Sequence, residues 1–151
     1  MPEITIRPAR KYDLPLIKKC VDDAFGKYIE RIGKPPAPML LDYSTQISLG
    51  RVWVAEYQGE VHGTLVIFPT EKGFYLDTIA VSPSFHGLGL GHALLQFAEQ
   101  EAGRHGFTSI YLCTNVMMTE NQILYPKIGY VEYERSMEDG YDRIFYRKQL
   151  A

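Results

Sequence analysis

The stretch "SPSFHGLGLGHALLQFAEQ", residues 82–100, sets glycines at 87, 89 and 91 directly ahead of a helical apolar pattern. Glycine weakens a helix interior. It is favoured where the chain must turn left-handed or let its backbone approach another group closely. The preceding run, "GFYLDTIAV" (73–81), is nearly continuous in apolar character and reads as a central strand. A strand, a glycine turn and a helix beginning near Gly89 together make a site for an anion. The first N–H groups of a helix lack internal acceptors and the helix dipole is positive there, so phosphate is a common guest.

The spacing argues about which phosphate. A dinucleotide fingerprint requires G-x-G-x-x-G, and His92 stands where the third glycine belongs. The unit also lies mid-chain, after a hairpin rather than at a chain-initial strand. The Gly-Lys-Ser/Thr of a Walker loop is absent. Nicotinamide and ATP readings are therefore disfavoured.

Working outward, "EITIRPA" alternates Ile4 and Ile6 with polar residues and predicts a first strand ended by Pro8. A helix follows from Asp13, the expected N-cap, with Ile17, Val21, Ala24, Phe25 and Tyr28 at helical spacing. "GKPPAPM" (33–39) breaks it, and a weaker helix is expected from about Leu41 to Leu49. "RVWVAEYQGEVHGTLVIF" reads as a hairpin turning at Gln58-Gly59. The glycine-turn helix runs to about His105, with Gly106 as its terminator. "FTSIYLCTN" is a buried strand. "TENQILYPKIG" is a short helix, with Thr119 and Gln122 spaced as a capping box and Gly129 at its end. "YVEYERSM" and "YDRIFYRKQL" are final strands joined through "EDG" (138–140). The order β, α, α, β, β, β, α, β, α, β, β predicts a mixed sheet in a single domain spanning residues 1–151.

The 151 residues are 46% hydrophobic and 23% charged, an ordinary globular balance. Net charge is −2 with no basic stripe, which argues against nucleic acid as a partner. Cys20 and Cys113 sit in separate apolar contexts and read as buried thiols of a reducing compartment. No leader-like or membrane-length apolar run is present, so a cytoplasmic protein without a membrane partner is expected. The four histidines show no ligand-like spacing, and no metal is expected.

The glycine turn resembles the central motif of the GCN5-related N-acetyltransferase (GNAT) superfamily. Val81, Pro83, His86, Gly87, Gly89, Leu90, Gly91, Leu94 and Leu95 match it in register, with His86 in place of the usual Gln or Arg. Tyr125, Gly129 and Tyr130 match the family's second motif, and the element order agrees over about residues 3–150. The resemblance implies an α/β (α+β) fold, with a mixed, mainly antiparallel central sheet of about seven strands flanked by about four helices. It also implies acetyl-CoA, or another acyl-CoA, as donor.

The resemblance further assigns roles. Backbone groups of Ile79, Ala80 and Val81 would pair with the pantetheine arm as an added strand does. Amides of Gly87, Leu88, Gly89, Leu90, Gly91 and His92 would hold the pyrophosphate, with the His86 side chain beside it. Asn115 and Asn121 are candidate partners for the pantetheine amides; Met118 occupies the position two turns before Tyr125 where many members carry Asn.

Acyl transfer from a thioester needs a neutral amine, donors for the oxyanion and a proton for the leaving thiolate. A tyrosine is protonated at neutral pH, its ordinary pKa being about 10. Tyr125 therefore reads as the general acid. Asp77 and Glu56 are both candidates to take the amine's proton, alongside an amine that arrives neutral or a water chain. Tyr28, Met39 and Tyr43 could line an acceptor pocket for a small-molecule amine or a peptide N-terminus. Dimers are common in the family, so a homodimer is open to this chain. The competing class is a CoA-binding sensor or structural module without catalysis.

Overall fold

The computed structural model describes residues 3–151. Seven strands, β1 (Ile4–Pro8), β2 (Val52–Tyr57), β3 (Glu60–Thr70), β4 (Gly73–Val81), β5 (Ser109–Asn115), β6 (Val131–Glu138) and β7 (Tyr141–Gln149), form a sheet in the order β1-β2-β3-β4-β5-β7-β6. The β1–β2, β2–β3, β5–β7 and β6–β7 pairings are antiparallel, and β4–β5 is parallel. The expected sheet is present, and the strand read as central is fourth of seven.

The two hairpin turns follow from their residues. Gln58 and Gly59 both have positive φ, +52° and +86°, as do Asp139 and Gly140 at +52° and +81°. Left-handed values at both central positions match the right-handed twist of the flanking strands and favour glycine second. The second turn is thus Asp139-Gly140, and Glu138 belongs to β6.

The helices number six rather than about four among the described residues. They are α1 (Leu14–Phe25), α2 (Tyr28–Ile32), α3 (Ala37–Leu40), α4 (Tyr43–Ser48), α5 (Leu90–Arg104) and α6 (Thr119–Lys127). The first expected helix is divided at Gly26. A Cβ there would meet the Asp22 carbonyl oxygen at 2.8 Å, so the chain tightens where only glycine fits. The Pro-rich break contains α3, which begins just after Pro36. Asp42 caps α4 by accepting from the Thr45 N–H at 3.2 Å. The capping box expected at α6 does not form. Thr119 turns to Glu120, and the Gln122 amide donates to the Val116 carbonyl at 2.7 Å.

The chain groups into two compact units, Met1–Ile67 with Thr78–Ala98, and Phe68–Asp77 with Glu99–Ala151. In the first, Ile17, Val21, Val54, Leu65, Leu90 and Leu94 are buried. Gly63 lets α5 lie close on the sheet, since a Cβ there would reach Leu94 Cδ1 at 3.1 Å and Ala55 Cβ at 3.2 Å. Trp53 packs its ring on Phe97 of α5, centroids 4.7 Å apart. In the second unit, Phe74, Ile110, Leu112, Ile144 and Tyr146 form the core.

Asp13 does not cap α1 with its side chain. Its carboxylate takes both Arg7 guanidinium nitrogens at 2.8 and 2.9 Å and the Arg10 N–H at 2.7 Å, while Arg7 also reaches Glu56 at 3.1 Å. The Arg7 hydrogen bonds outweigh burial and hold the Asp13 carboxyl below the usual carboxylate range. A lowered folded pKa gives stability that is present above the unfolded pKa and lost as pH falls through the folded one. Asp13→Asn should cost about 2 kcal/mol at pH 7, and the difference from the parent should close toward pH 2.5. Urea denaturation at the two pH values measures it, and a pH-independent difference contradicts the assignment.

Candidate functional site

β4 delivers the chain into a short 3₁₀ turn (Pro83–Phe85) and then the glycines. Gly87 and Gly89 have φ of +82° and +93°. A Cβ on Gly87 would meet nothing within 4 Å, and one on Gly89 would meet only Ile4 Cδ1 at 3.7 Å. These two glycines are therefore required by backbone torsion, not by crowding from this chain. Gly91 differs. Its φ is not left-handed, and an added Cβ would touch Val81 Cγ2 at an ordinary 3.9 Å. No neighbour among the described residues demands glycine at 91.

α5 takes its first turn from this loop. Leu90 is buried and anchors the helix start, while Gly87, Leu88, Gly89 and His92 are exposed. The first backbone bond of the helix runs from Ala93 N–H to Gly89 O at 3.0 Å. The N–H groups from Gly89 to His92 thus precede any i−4 acceptor within α5 and face a positive dipole end. The arrangement can hold a phosphate-like anion.

His86, read as lying beside the pyrophosphate, has a partner within the loop. Its Nε2 donates to the Val81 carbonyl at 3.1 Å, so the ring closes the loop on itself. That bond engages the carbonyl of Val81, one of the three β4 residues whose backbone groups are expected to pair with an extended ligand. Ile79 and Ala80 precede it in extended backbone, Ala80 buried and Ile79 half-buried.

In the second unit, Tyr125 owes its placement to the end of α6. Tyr130 N–H bonds to Tyr125 O at 2.9 Å, Gly129 N–H to Pro126 O at 3.2 Å, and Gly129 has φ +103°. These are the two bonds of a Schellman cap, with glycine in the left-handed position. The hydrophobic contact that accompanies such a cap is here the Tyr125–Tyr130 ring pair, edge-on at 5.6 Å. Tyr146 flanks Tyr125 on β7 at 5.9 Å. The Tyr-x-x-x-Gly-Tyr spacing is thus a helix stop that holds one tyrosine between two others. Tyr130 in turn donates to Glu99, which Lys148 pairs at 3.1 Å.

The two asparagines are locally engaged. Asn115 Oδ1 accepts from the Met117 N–H at 2.9 Å, and Asn121 Nδ2 donates to Thr114 Oγ1 at 3.0 Å. Met118 is buried against both Thr114 and Asn121, its sulfur 3.6 and 3.7 Å away.

Asp77 shares a face of β4 with Tyr75. The Tyr75 hydroxyl lies 3.2 Å from Cys113 Sγ on β5. Burial pushes the Cys113 thiol up, with smaller contributions from Asp77 and Glu138, while Tyr75 and Arg143 oppose it. The thiol is therefore protonated at neutral pH, and Asp77 is set among Tyr75, Cys113 and Arg143. Sequence reading left this cluster out because its members come from separate strands. The β4–β5 ladder pairs only Phe74–Leu76 with Ile110–Leu112, so both strands continue past their shared register.

Glu56, the other candidate base, lies in the first unit and is bound by Arg7. Tyr28 is buried with Lys27 and Arg31 over its ring at 5.0 and 4.9 Å. Tyr43 is buried and donates to the Pro38 carbonyl at 2.7 Å, and Met39 is half-buried in α3. No group of three or more His, Cys, Asp or Glu side chains is gathered as a metal site among the described residues. Among the described residues no helix is long and apolar enough to cross a membrane.

Comparison with known proteins agrees with this geometry. A family model described as an acetyltransferase (GNAT) domain matches residues 48–132. N-acetyltransferase family 8 member 3 of Rattus norvegicus is 29% identical over 84 residues, covering 52% of this chain and 37% of that protein. The chain spans less than half the length of the curated relatives it matches. Among solved structures, the ribosomal-protein-S18-alanine N-acetyltransferase of Escherichia coli superposes with TM-score 0.76 at 20% identity, covering 99% of this chain and 95% of that one. The PaiA N-acetyltransferase of Thermoplasma acidophilum, solved with coenzyme A, gives 0.76 at 16% identity, covering 97% and 99%. At these identities the structural likeness speaks to the fold, and the family match covers more than half of the chain. With its glycine turn, α5 N-terminus and capped tyrosine, this chain belongs to the GNAT acetyltransferase domain family.

Proposed function

We propose that the protein transfers an acetyl group from acetyl-CoA to a primary amine of a small molecule or a peptide N-terminus. The observation that carries the reading is the start of α5. Two left-handed glycines turn the chain there, no described neighbour requires a third, and the amides from Gly89 to His92 precede any helical acceptor. The CoA pyrophosphate would rest on the amides of Gly87 to His92, and the pantetheine arm along Ile79 and Ala80. Asn121 would offer its side-chain oxygen to a pantetheine amide, since its nitrogen is given to Thr114. CoA in the structure of a fold neighbour supports this choice of donor.

In the reaction the amine attacks the thioester carbonyl, the tetrahedral intermediate collapses, and the thiolate leaves with a proton. Tyr125 supplies that proton from its hydroxyl, since an ordinary tyrosine is still protonated at neutral pH. Asp77 takes the amine's proton, directly or through water. Glu56, which Arg7 binds at 3.1 Å, is the alternative base.

Three measurements test the reading. Tyr125→Phe should lower kcat roughly 10²-fold with little change in the KM for acetyl-CoA, and unchanged turnover at saturation contradicts the assignment. Asp77→Asn should shift or abolish the acid limb of the pH–rate profile, and a superimposable limb removes Asp77 from proton transfer. Gly91→Ala should leave thermal stability near the parent's while weakening acetyl-CoA binding about tenfold. Gly89→Ala should lower stability by about 1 kcal/mol or more through backbone strain. Equal effects of the two substitutions on binding and stability would contradict their separation.

A further inference from the structure

The β2–β3 ladder contains a defect beside the glycine turn. Ala55 pairs with Gly63 and the next residue, Glu56, pairs with Val61, leaving His62 as the extra residue of a β-bulge. A bulge interrupts pairing and re-aims a side chain, and it is common beside functional sites. Here the re-aimed ring lies flat on Phe85 of the 3₁₀ turn, with centroids 3.6 Å apart and planes inclined 13°. Tyr57, at the end of β2, meets the same Phe85 ring edge-on at 5.6 Å.

The bulge also binds the turn through backbone. The His62 carbonyl accepts the Ser82 N–H at 2.8 Å, at the residue where β4 ends. The same carbonyl takes the Cys20 thiol at 3.6 Å. Burial pushes that thiol up to about 11, so it stays a protonated donor at neutral pH. The ring's charged neighbour is Glu60, 3.8 Å from Nε2. The next residue is Gly63, whose missing Cβ lets α5 approach. One bulge therefore touches the entry of the turn by a hydrogen bond, its middle by a ring stack, and the helix after it by contact at Gly63.

We infer that His62 is a positioning residue for the donor-binding turn: the β3 bulge aims its ring at Phe85 and so fixes the path of the chain from Ser82 into the Gly87–His92 amides. The inference rests on the acetyl-CoA reading of that turn. His62 contacts no reacting atom in this account, and its effect falls on donor affinity. An aromatic partner, not an imidazole as such, is what the stack requires.

Titration calorimetry with acetyl-CoA, alongside steady-state kinetics with a reactive amine, tests it. His62→Ala should raise the acetyl-CoA Kd and KM roughly fivefold with kcat within about twofold, the size expected for losing one aromatic pair. His62→Phe should restore the parent's affinity. Phe85→Ala, made in the turn itself, should match His62→Ala, and the double variant should bind no more weakly than either single one. Binding by the parent with unchanged affinity in His62→Ala and Phe85→Ala overturns the inference alone. Loss of stability in His62→Ala with no rescue of affinity by His62→Phe overturns it as well, leaving His62 a packing residue. Failure of the parent to bind acetyl-CoA overturns the underlying reading and the inference with it.

Discussion

The close approach of α5 to the sheet at Gly63 is the constraint on which the first unit depends. One added carbon at that position would press into Leu94 and Ala55. Without it, Leu90 and Leu94 bury fully, and the helix start is held where β4 ends. The turn between them must then reverse over a few residues, which forces left-handed backbone at Gly87 and Gly89. The proposed anion site would thus follow from helix packing, because a buried helix begins abruptly beside a strand.

The second unit solves a parallel problem at the end of a helix. Gly129 stops α6 with a Schellman cap, and the cap's own apolar contact is Tyr125 on Tyr130. A tyrosine fixed by a helix stop loses little further freedom when a ligand arrives, which suits a proton donor. Burial pushes the neighbouring Tyr130 hydroxyl up, with the Glu99 carboxylate adding to it, so Tyr130 stays protonated beside the Glu99–Lys148 pair. Start of α5 and end of α6 use glycine for the same torsional reason and leave opposite backbone groups to be satisfied.

Much of this was legible in the sequence because it depends on local rules. Gln58-Gly59, Gly106 and Gly129 announce turns and stops by the φ values they must adopt, and each has them. The strands were readable from period-two alternation and apolar runs. Features that depend on distant partners were not readable. Asp13 had the sequence context of a cap, yet Arg7 across the loop claims its carboxylate. The Tyr75–Cys113 contact joins two strands whose register no short pattern specifies. The bulge at His62 is likewise invisible in the alternation of β3, since it appears only when the β2 partner is known.

Release of CoA thiol, followed spectrophotometrically with acetyl-CoA and a panel of primary amines, tests the central claim most directly. Acetyl transfer requires thiol release that depends on an added amine, saturates in both substrates and yields an equal amount of N-acetylated product. Thiol release at the same rate with no amine present, or acetyl-CoA binding with no product from any amine in a panel spanning small amines and peptide N-termini, would contradict it.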